Sequence, residues 1–294
     1  MAECRYSIPK IRYSCPFEAE EGEEYCIFHL PKEKKEPKEF WKHLASYLIA
    51  LMENTEDEKI KDFLNRREAW IFQEKDDVLI GYYKSKIEKG KRWEFTGFIF
   101  PEMDGEHNFN NFPLWDADFE RAQFSGNAGF IRTKFSGYAG FSWAQFSGYA
   151  VFSEAQFSGD ADFSGAEFSG YAGFIRTKFS GYAGFSGTQF SGNAYFSLAR
   201  FSGNADFSKS QFFGNANFSE ARFSGNAGFI VAKFYKDAGF WQAKFSVDAG
   251  FSGAEFKEAN FSGAKFFGYA NFREAQFSGN ANFGFAQFSG ECQF

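Results

Sequence analysis

Histidine is almost missing from this chain: it has three histidines in 294 residues, with only three methionines, four cysteines, and six prolines against thirty glycines. So few imidazoles leave little material for general acid–base or nucleophilic catalysis. Serines are plentiful, but they recur with a repeat and no histidine accompanies them. His43 and His107 have no evident partner in the sequence. No apolar run is long enough to span a bilayer. The best, Phe40 to Met52, contains Lys42 and His43, and a spanning helix needs about 20 apolar residues. Nor does an apolar run follow Met1, so no signal peptide is expected and the cytoplasm is the expected compartment. Charge of one sign is also lacking. The whole chain carries −6, and the stretch from Trp115 onward has 14 basic and 15 acidic residues. That balance argues against general nucleic-acid binding and against an acidic rod that imitates DNA.

Phenylalanine is abundant, at 46 residues, while mean hydropathy stays negative. The apolar residues must therefore be segregated by a pattern. From Phe119 to Phe294, thirty-three phenylalanines follow one another in alternating steps of five and six. One slip, from Phe256 to Phe261, takes five where six is due. Two residues before each of these phenylalanines stands a small residue. It is Ala in 28 cases, the exceptions being Thr133, Thr177, Thr188, Ser210 and Cys292. Alternate residues of an extended strand point to the same side. The small residue and the Phe thus face inward and the residue between them faces out. Ser-Gly commonly follows the Phe and suits a corner, where Gly allows positive φ.

Alternation of five and six bears on the number of sides. Longer units stack on longer units only when a coil has an even number of sides, and four sides give 22 residues per coil. The segment IRTKFSGYAGFS, at 131–142 and again at 175–186, repeats after two such coils. A unit of a small residue, any residue, Phe and two more resembles the pentapeptide-repeat family. That resemblance implies an all-β solenoid, a right-handed quadrilateral β-helix of about eight coils over 115–294. Known members include gyrase-protecting DNA mimics, a function that leans on a strongly acidic rod.

The N-terminal third is different. Residues 1–30 hold Cys4, Cys15, Cys26 and His29 in the spacing C-x10-C-x10-C-x2-H. Three thiolates and an imidazole suit tetrahedral Zn²⁺, and about thirty residues with few apolar groups need metal to fold. The set also resembles the zinc motif of the plant WRC domain, carried here by Cys4-Arg5, Tyr13, Cys15, Tyr25-Cys26 and His29. DNA binding is not carried over, because five glutamates between Glu18 and Glu24 would repel phosphate. Residues 31–37 read as a charged linker within a helical cap, 31–96. There Phe40, Leu44, Leu48 and Leu51 share a helical face, Thr55 with Glu58 suits a capping box, and two further helices follow. Residues 97–114 are expected to lay down the first coil.

Outward residues of the five-residue units sort into columns. One side stacks Lys134, Gln156, Lys178, Arg200, Arg222, Lys244, Lys265 and Gln287, six of eight being basic; the opposite side has one basic residue, Lys233. Glu154 and Glu220 are expected to neutralise part of this ridge, and Arg132, Glu154 and Arg176 to make a cross-coil charge ladder. Tyr138, Tyr149, Tyr171, Tyr182 and Tyr269 occupy the added position of the six-residue units. The expectation is a non-catalytic interaction or scaffold protein with a zinc-stabilised cap, an unidentified protein partner and no membrane. End-to-end homodimerisation through the uncovered last coil is an expected outcome. Alternatives are a nucleic-acid binder using the zinc module and ridge, or a DNA mimic acting on topoisomerases.

Overall fold

The computed structural model describes residues 2–9, 12–66, 69–88 and 91–294. Its solenoid follows from the inward pair of each unit. Ala139 and Phe141, and their equivalents through Phe272, are buried almost completely. The residue between them faces out, as Gln145 and Lys178 do. Four columns of short parallel strands result, each strand lying on the one a coil earlier. Gln145 pairs with Glu167 and Ala139 with Ala161, a register of 22 residues.

The four faces can be named by their strands. The first stacks Ala117–Asp118 under Ala139–Gly140 and Ala161–Asp162; the second stacks Gln123–Phe124 under Gln145–Phe146. The third stacks Ala128–Gly129 under Ala150–Val151, and the fourth Lys134–Phe135 under Gln156–Phe157. Ten strands stack on the first face, from Trp93–Glu94 to Cys292–Gln293, so the rod has about nine coils rather than eight. The extra coil begins at Trp93, four residues before Gly97. Trp93 pairs with Ala117 across 24 residues, because this coil carries a longer excursion between its sides.

Inside, the rings of one face lie flat on one another and meet those of the opposite face edge-on. Phe163 and Phe185 are parallel at 4.9 Å, whereas Phe163 and Phe174 meet at 87° and 5.4 Å. Both geometries suit the aromatic quadrupole. Where Thr or Ser replaces the inward Ala, the hydroxyl donates to a backbone carbonyl: Thr177 Oγ1 to Phe152 O at 2.8 Å, Ser210 Oγ to Phe185 O at 2.7 Å. The slip at Phe256 is absorbed at the corner between the second and third faces. There strands Lys233–Gly239 and Glu255–Asn260 run round the corner, with a bulge between Phe234 and Asp237.

The corners differ from expectation. The Ser-Gly glycines that follow the phenylalanines of the second and fourth faces, Gly126, Gly137 and Gly148 among them, do not occupy the left-handed region. Left-handed φ falls instead two residues after the Phe of the first and third faces, at Arg121, Arg132, Trp143, Glu154 and onward at eleven-residue spacing (ten across the slip), mostly on residues with side chains but also on Gly165, Gly187, Gly253 and Gly263. The Ser-Gly glycines after the second- and fourth-face phenylalanines answer a different need, since coils touch there. A Cβ on Gly148 would lie 2.6 Å from the carbonyl carbon of Gly126, one coil below.

The cap has four helices: α1 (Pro37–Glu53), α2 (Glu58–Arg66), α3 (Ile71–Glu74) and α4 (Asp77–Lys86). α1 is buried nearly all round rather than on one face. The expected capping box does not form. Asp57 Oδ1 accepts from Ile60 N at 3.2 Å, while Thr55 Oγ1 accepts from Asp57 N in a local turn. Cap and first coil share one core: Phe28 stacks on Phe98 at 4.3 Å, and Tyr47 Oη donates to Glu94 O at 3.0 Å. The segment read as a linker is part of this joint. Lys35 is buried, lies over the Phe40 ring, and donates to the carbonyls of Phe28 and Ile99. Its burial lowers its pKa to about 7.

Candidate functional site

Two features merit a functional reading. The first is the cluster the N-terminal spacing anticipates. A hairpin of Ser7–Ile8 and Tyr13–Ser14 brings Cys4 and Cys15 together, and the turn after Cys26 returns His29 to them. All four are buried, and no disulfide links the cysteines. Their ligand atoms lie within 4.8 Å of one another. Cys26 Sγ is 3.2 Å and Cys4 Sγ 3.6 Å from His29 Nδ1, and Cys15 Sγ is 3.6 Å from Cys26 Sγ. Tetrahedral Zn²⁺ with bonds of about 2.3 Å to sulfur and about 2.0 Å to nitrogen spans edges of roughly 3.5–3.8 Å. The donors therefore fit a metal ion.

Surroundings reinforce the fit. His29 Nε2 lies 3.0 Å from Thr96 O, on the first coil. Donation there leaves Nδ1 with its lone pair toward the sulfurs, the usual outer-shell arrangement of a ligating histidine. Tyr6 stacks on the imidazole at 4.0 Å and lies over Gly97, where a Cβ would strike its ring. Ionisation of the three sulfurs is interdependent. Hydrogen bonds from Cys15 and Cys26 draw the Cys4 thiol far down. Hydrogen bonds with Cys26 and Cys4, together with burial, push Cys15 up, and burial pushes Cys26 up to about 12. A divalent ion would hold the sulfurs as thiolates.

The second feature is the fourth face. Lys134, Lys178, Arg200, Arg222, Lys244 and Lys265 stand in one column, and Lys178 to Lys265 are five successive rungs paired directly. None of the six forms an ion pair among the described residues. Glu154 does not neutralise the ridge as expected. It pairs with Arg132, with Arg132 Nε 2.9 Å away, in the neighbouring corner column. A groove of about 550 Å³ runs between the ridge and that column, which continues through Arg176, Leu198 and Glu220; Arg66 of α2 lies at the cap end.

The tyrosines do not form one sticky corner. Tyr138, Tyr182 and Tyr269 share a corner column between the fourth and first faces; Tyr149 and Tyr171 lie between the second and third. His43 and His107 have structural partners: Nδ1 of His43 is 2.7 Å from Tyr83 Oη, and His107 stacks on Trp41 beside Asp104. Sequence reasoning also missed the acidic character of the first face, where Asp118, Asp162 and Asp206 point outward on alternate coils. Their spacing of 44 residues was the available signal. No helix among the described residues is long and apolar enough to cross a membrane.

Comparison with known proteins adds the following. A search of curated proteins finds no match. Among solved structures, similarity extends to HetL, a pentapeptide repeat protein involved in heterocyst differentiation regulation from the cyanobacterium Nostoc sp. strain PCC 7120. It is 15% identical, covering 72% of this chain and 92% of that one, with a TM-score of 0.23. The family model described as pentapeptide repeats (9 copies) matches 119–167, 163–211, 207–255 and 251–294. Those matches tile the four-faced rod from its first full Phe column to its last, and the chain belongs to the pentapeptide-repeat family.

Proposed function

We propose that this protein is a non-catalytic interaction rod whose fourth face docks an acidic protein partner and whose cap is stapled by zinc. The observation that carries the reading is the unneutralised ridge. Like charges stacked directly across a parallel ladder are unfavourable, yet five consecutive rungs carry them with no ion pair among the described residues. A rigid framework that holds such a column in place supplies electrostatic complementarity to a partner bearing carboxylates. Asp118, Asp162 and Asp206 on the adjoining face weigh against a nucleic-acid duplex, which is wide enough to meet both faces. Zinc is favoured among ions because the donors are three sulfurs and one imidazole nitrogen in a closed, buried set.

Affinity capture compares the wild type with a Lys178→Ala/Arg200→Ala/Arg222→Ala variant. The expected result is a partner with an acidic surface that the wild type retains, the variant loses and salt releases. Partners retained equally by both would overturn the ridge assignment. Elemental analysis of purified protein is expected to give one zinc per chain; less than about half an ion defeats the metal assignment.

A further inference from the structure

Resting on that reading, we propose that the partner segment is an α-helix with an acidic stripe, lying along the groove of the fourth face. The rungs supply a ruler. Stacked rings behind the ridge are separated by 4.9 Å (Phe179 to Phe201), 4.7 Å (Phe201 to Phe223), 4.9 Å (Phe223 to Phe245) and 4.8 Å (Phe245 to Phe266). From Lys178 to Lys265 the basic column therefore advances about 19 Å in four steps. An α-helix advances about 5.4 Å per turn, roughly 22 Å in four turns. One carboxylate per turn stays within reach of one cation per coil, because long Lys and Arg side chains absorb the difference. An extended strand presents side chains on one face every 6.6–6.8 Å or so, and falls out of step after two rungs.

Groove width makes the same choice. Two columns flank it: the ridge from Lys134 to Arg222, which continues past the groove as Lys244 and Lys265, and the corner column in which Arg132, Glu154 and Arg176 alternate in sign before the apolar Leu198. A helix surface offers two adjacent rows, at i, i+4 and i+3, i+7. One row of Asp or Glu meets the ridge. The other, mixed in charge with an apolar residue opposite Leu198, meets the corner. An extended peptide turns only one row toward the surface, which leaves the second column without a partner. A nucleic-acid strand has no cation for Glu220 on that corner.

The test uses fluorescence anisotropy on the full chain with three labelled probes at about 0.1 M salt. The first is a stapled helical peptide of roughly 20 residues with glutamates at i, i+4, i+7, i+11 and i+14. The second has the same charge but alternates Glu with Thr and Pro, so it stays extended. The third is an oligothymidylate of equal charge. The helical probe is expected to bind at least about tenfold more tightly than either other probe, and Lys178→Ala/Arg200→Ala/Arg222→Ala is expected to weaken it about tenfold. Leu198→Ser should weaken the helical probe and leave the oligothymidylate unchanged. These side chains are exposed or half-exposed, so circular dichroism should show the variants folded. Equal or tighter binding of the extended peptide overturns the helix while leaving an acidic protein partner in place. Tighter binding of oligothymidylate overturns both, as does indifference of every probe to the ridge substitutions.

Discussion

Replacing Gly225 with alanine tests why the corners are glycine. Gly225 lies outside the left-handed region, so its conformation alone tolerates any residue. An added Cβ would sit 2.6 Å from both the carbonyl carbon and the oxygen of Gly203, and 2.8 Å from Asn204 N. All three atoms are backbone, pinned by ladders on either side of the corner. Ordinary contact requires about 3.4 Å, so two coils must separate by the better part of an ångström while Ala205–Ala227 and Arg200–Arg222 hold them together. Overpacking of this kind costs about 1–3 kcal/mol. Loss of glycine's unfolded-state freedom returns about 0.4–1 kcal/mol. The expected net loss is about 1–2 kcal/mol, read from guanidinium denaturation followed together by tryptophan fluorescence and circular dichroism. Gly187 is the control. It sits at φ +67° with nothing within 4 Å of a Cβ. Gly187→Asn should be nearly neutral, because Asn accepts that region, whereas Gly225→Asn should be at least as damaging as Gly225→Ala. If Gly225→Ala is neutral, or Asn is tolerated better than Ala at 225, the steric account of the corners is wrong.

Other substitutions probe the remaining links. Phe207 stacks on Phe185 and Phe229 and meets Phe196 and Phe218 edge-on; Phe207→Ala should cost about 3–5 kcal/mol in the same denaturation experiment. Val231 holds φ +57° on a β-branched residue, 43% exposed, and Val231→Gly should raise stability by about 1 kcal/mol, seen as a higher denaturation midpoint. Cys26→Ser should abolish stoichiometric zinc and expose cap amides to hydrogen exchange, while coils beyond the first few stay protected. An ion at a hundredfold excess over its Kd adds about 2.7 kcal/mol to whatever it staples. Burial pushes the Glu94 carboxyl up to about 7, above its ordinary value, so the folded chain holds that proton longer than the unfolded one. Its contribution is therefore complete at low pH and lost as pH rises toward 7. Between about pH 5.5 and 7.5 the wild type should lose on the order of 1–2 kcal/mol that Glu94→Gln does not lose.

The Phe and Ala rhythm alone conveys the square rod, because every unit repeats one local instruction and the ladder only has to honour it. The metal set was legible for a similar reason. Few residues other than Cys and His serve as soft ligands, and their spacing lay in one short stretch. What escaped was decided between coils. Nothing in Arg132 or Trp143 announces a left-handed backbone; the ladder on both sides imposes it against their own preference. Ser-Gly reads as a flexible corner until the backbone one coil below is seen against it. Lys35 looks like solvent-exposed charge among its neighbours in sequence, and only Phe28 O and Ile99 O, from the cysteine–histidine segment and the first coil, explain its burial. Glu154 was legible in one respect and not in another: its pairing with Arg132, one coil before it, follows the expected cross-coil ladder, but that pairing takes it from the ridge it was expected to neutralise.

Parallel ladders set along the axis of a rod also have a mechanical consequence. Tension applied between the two ends loads those hydrogen bonds in series, so coils peel away singly and the strongest stack never shares its burden with the others. Each detached coil of 22 residues frees roughly 70–80 Å of chain while removing only about 4.8 Å of rod. Pulled from its ends, the molecule should lengthen in a train of low, evenly spaced yields, a compliant tether under load although stiff at rest.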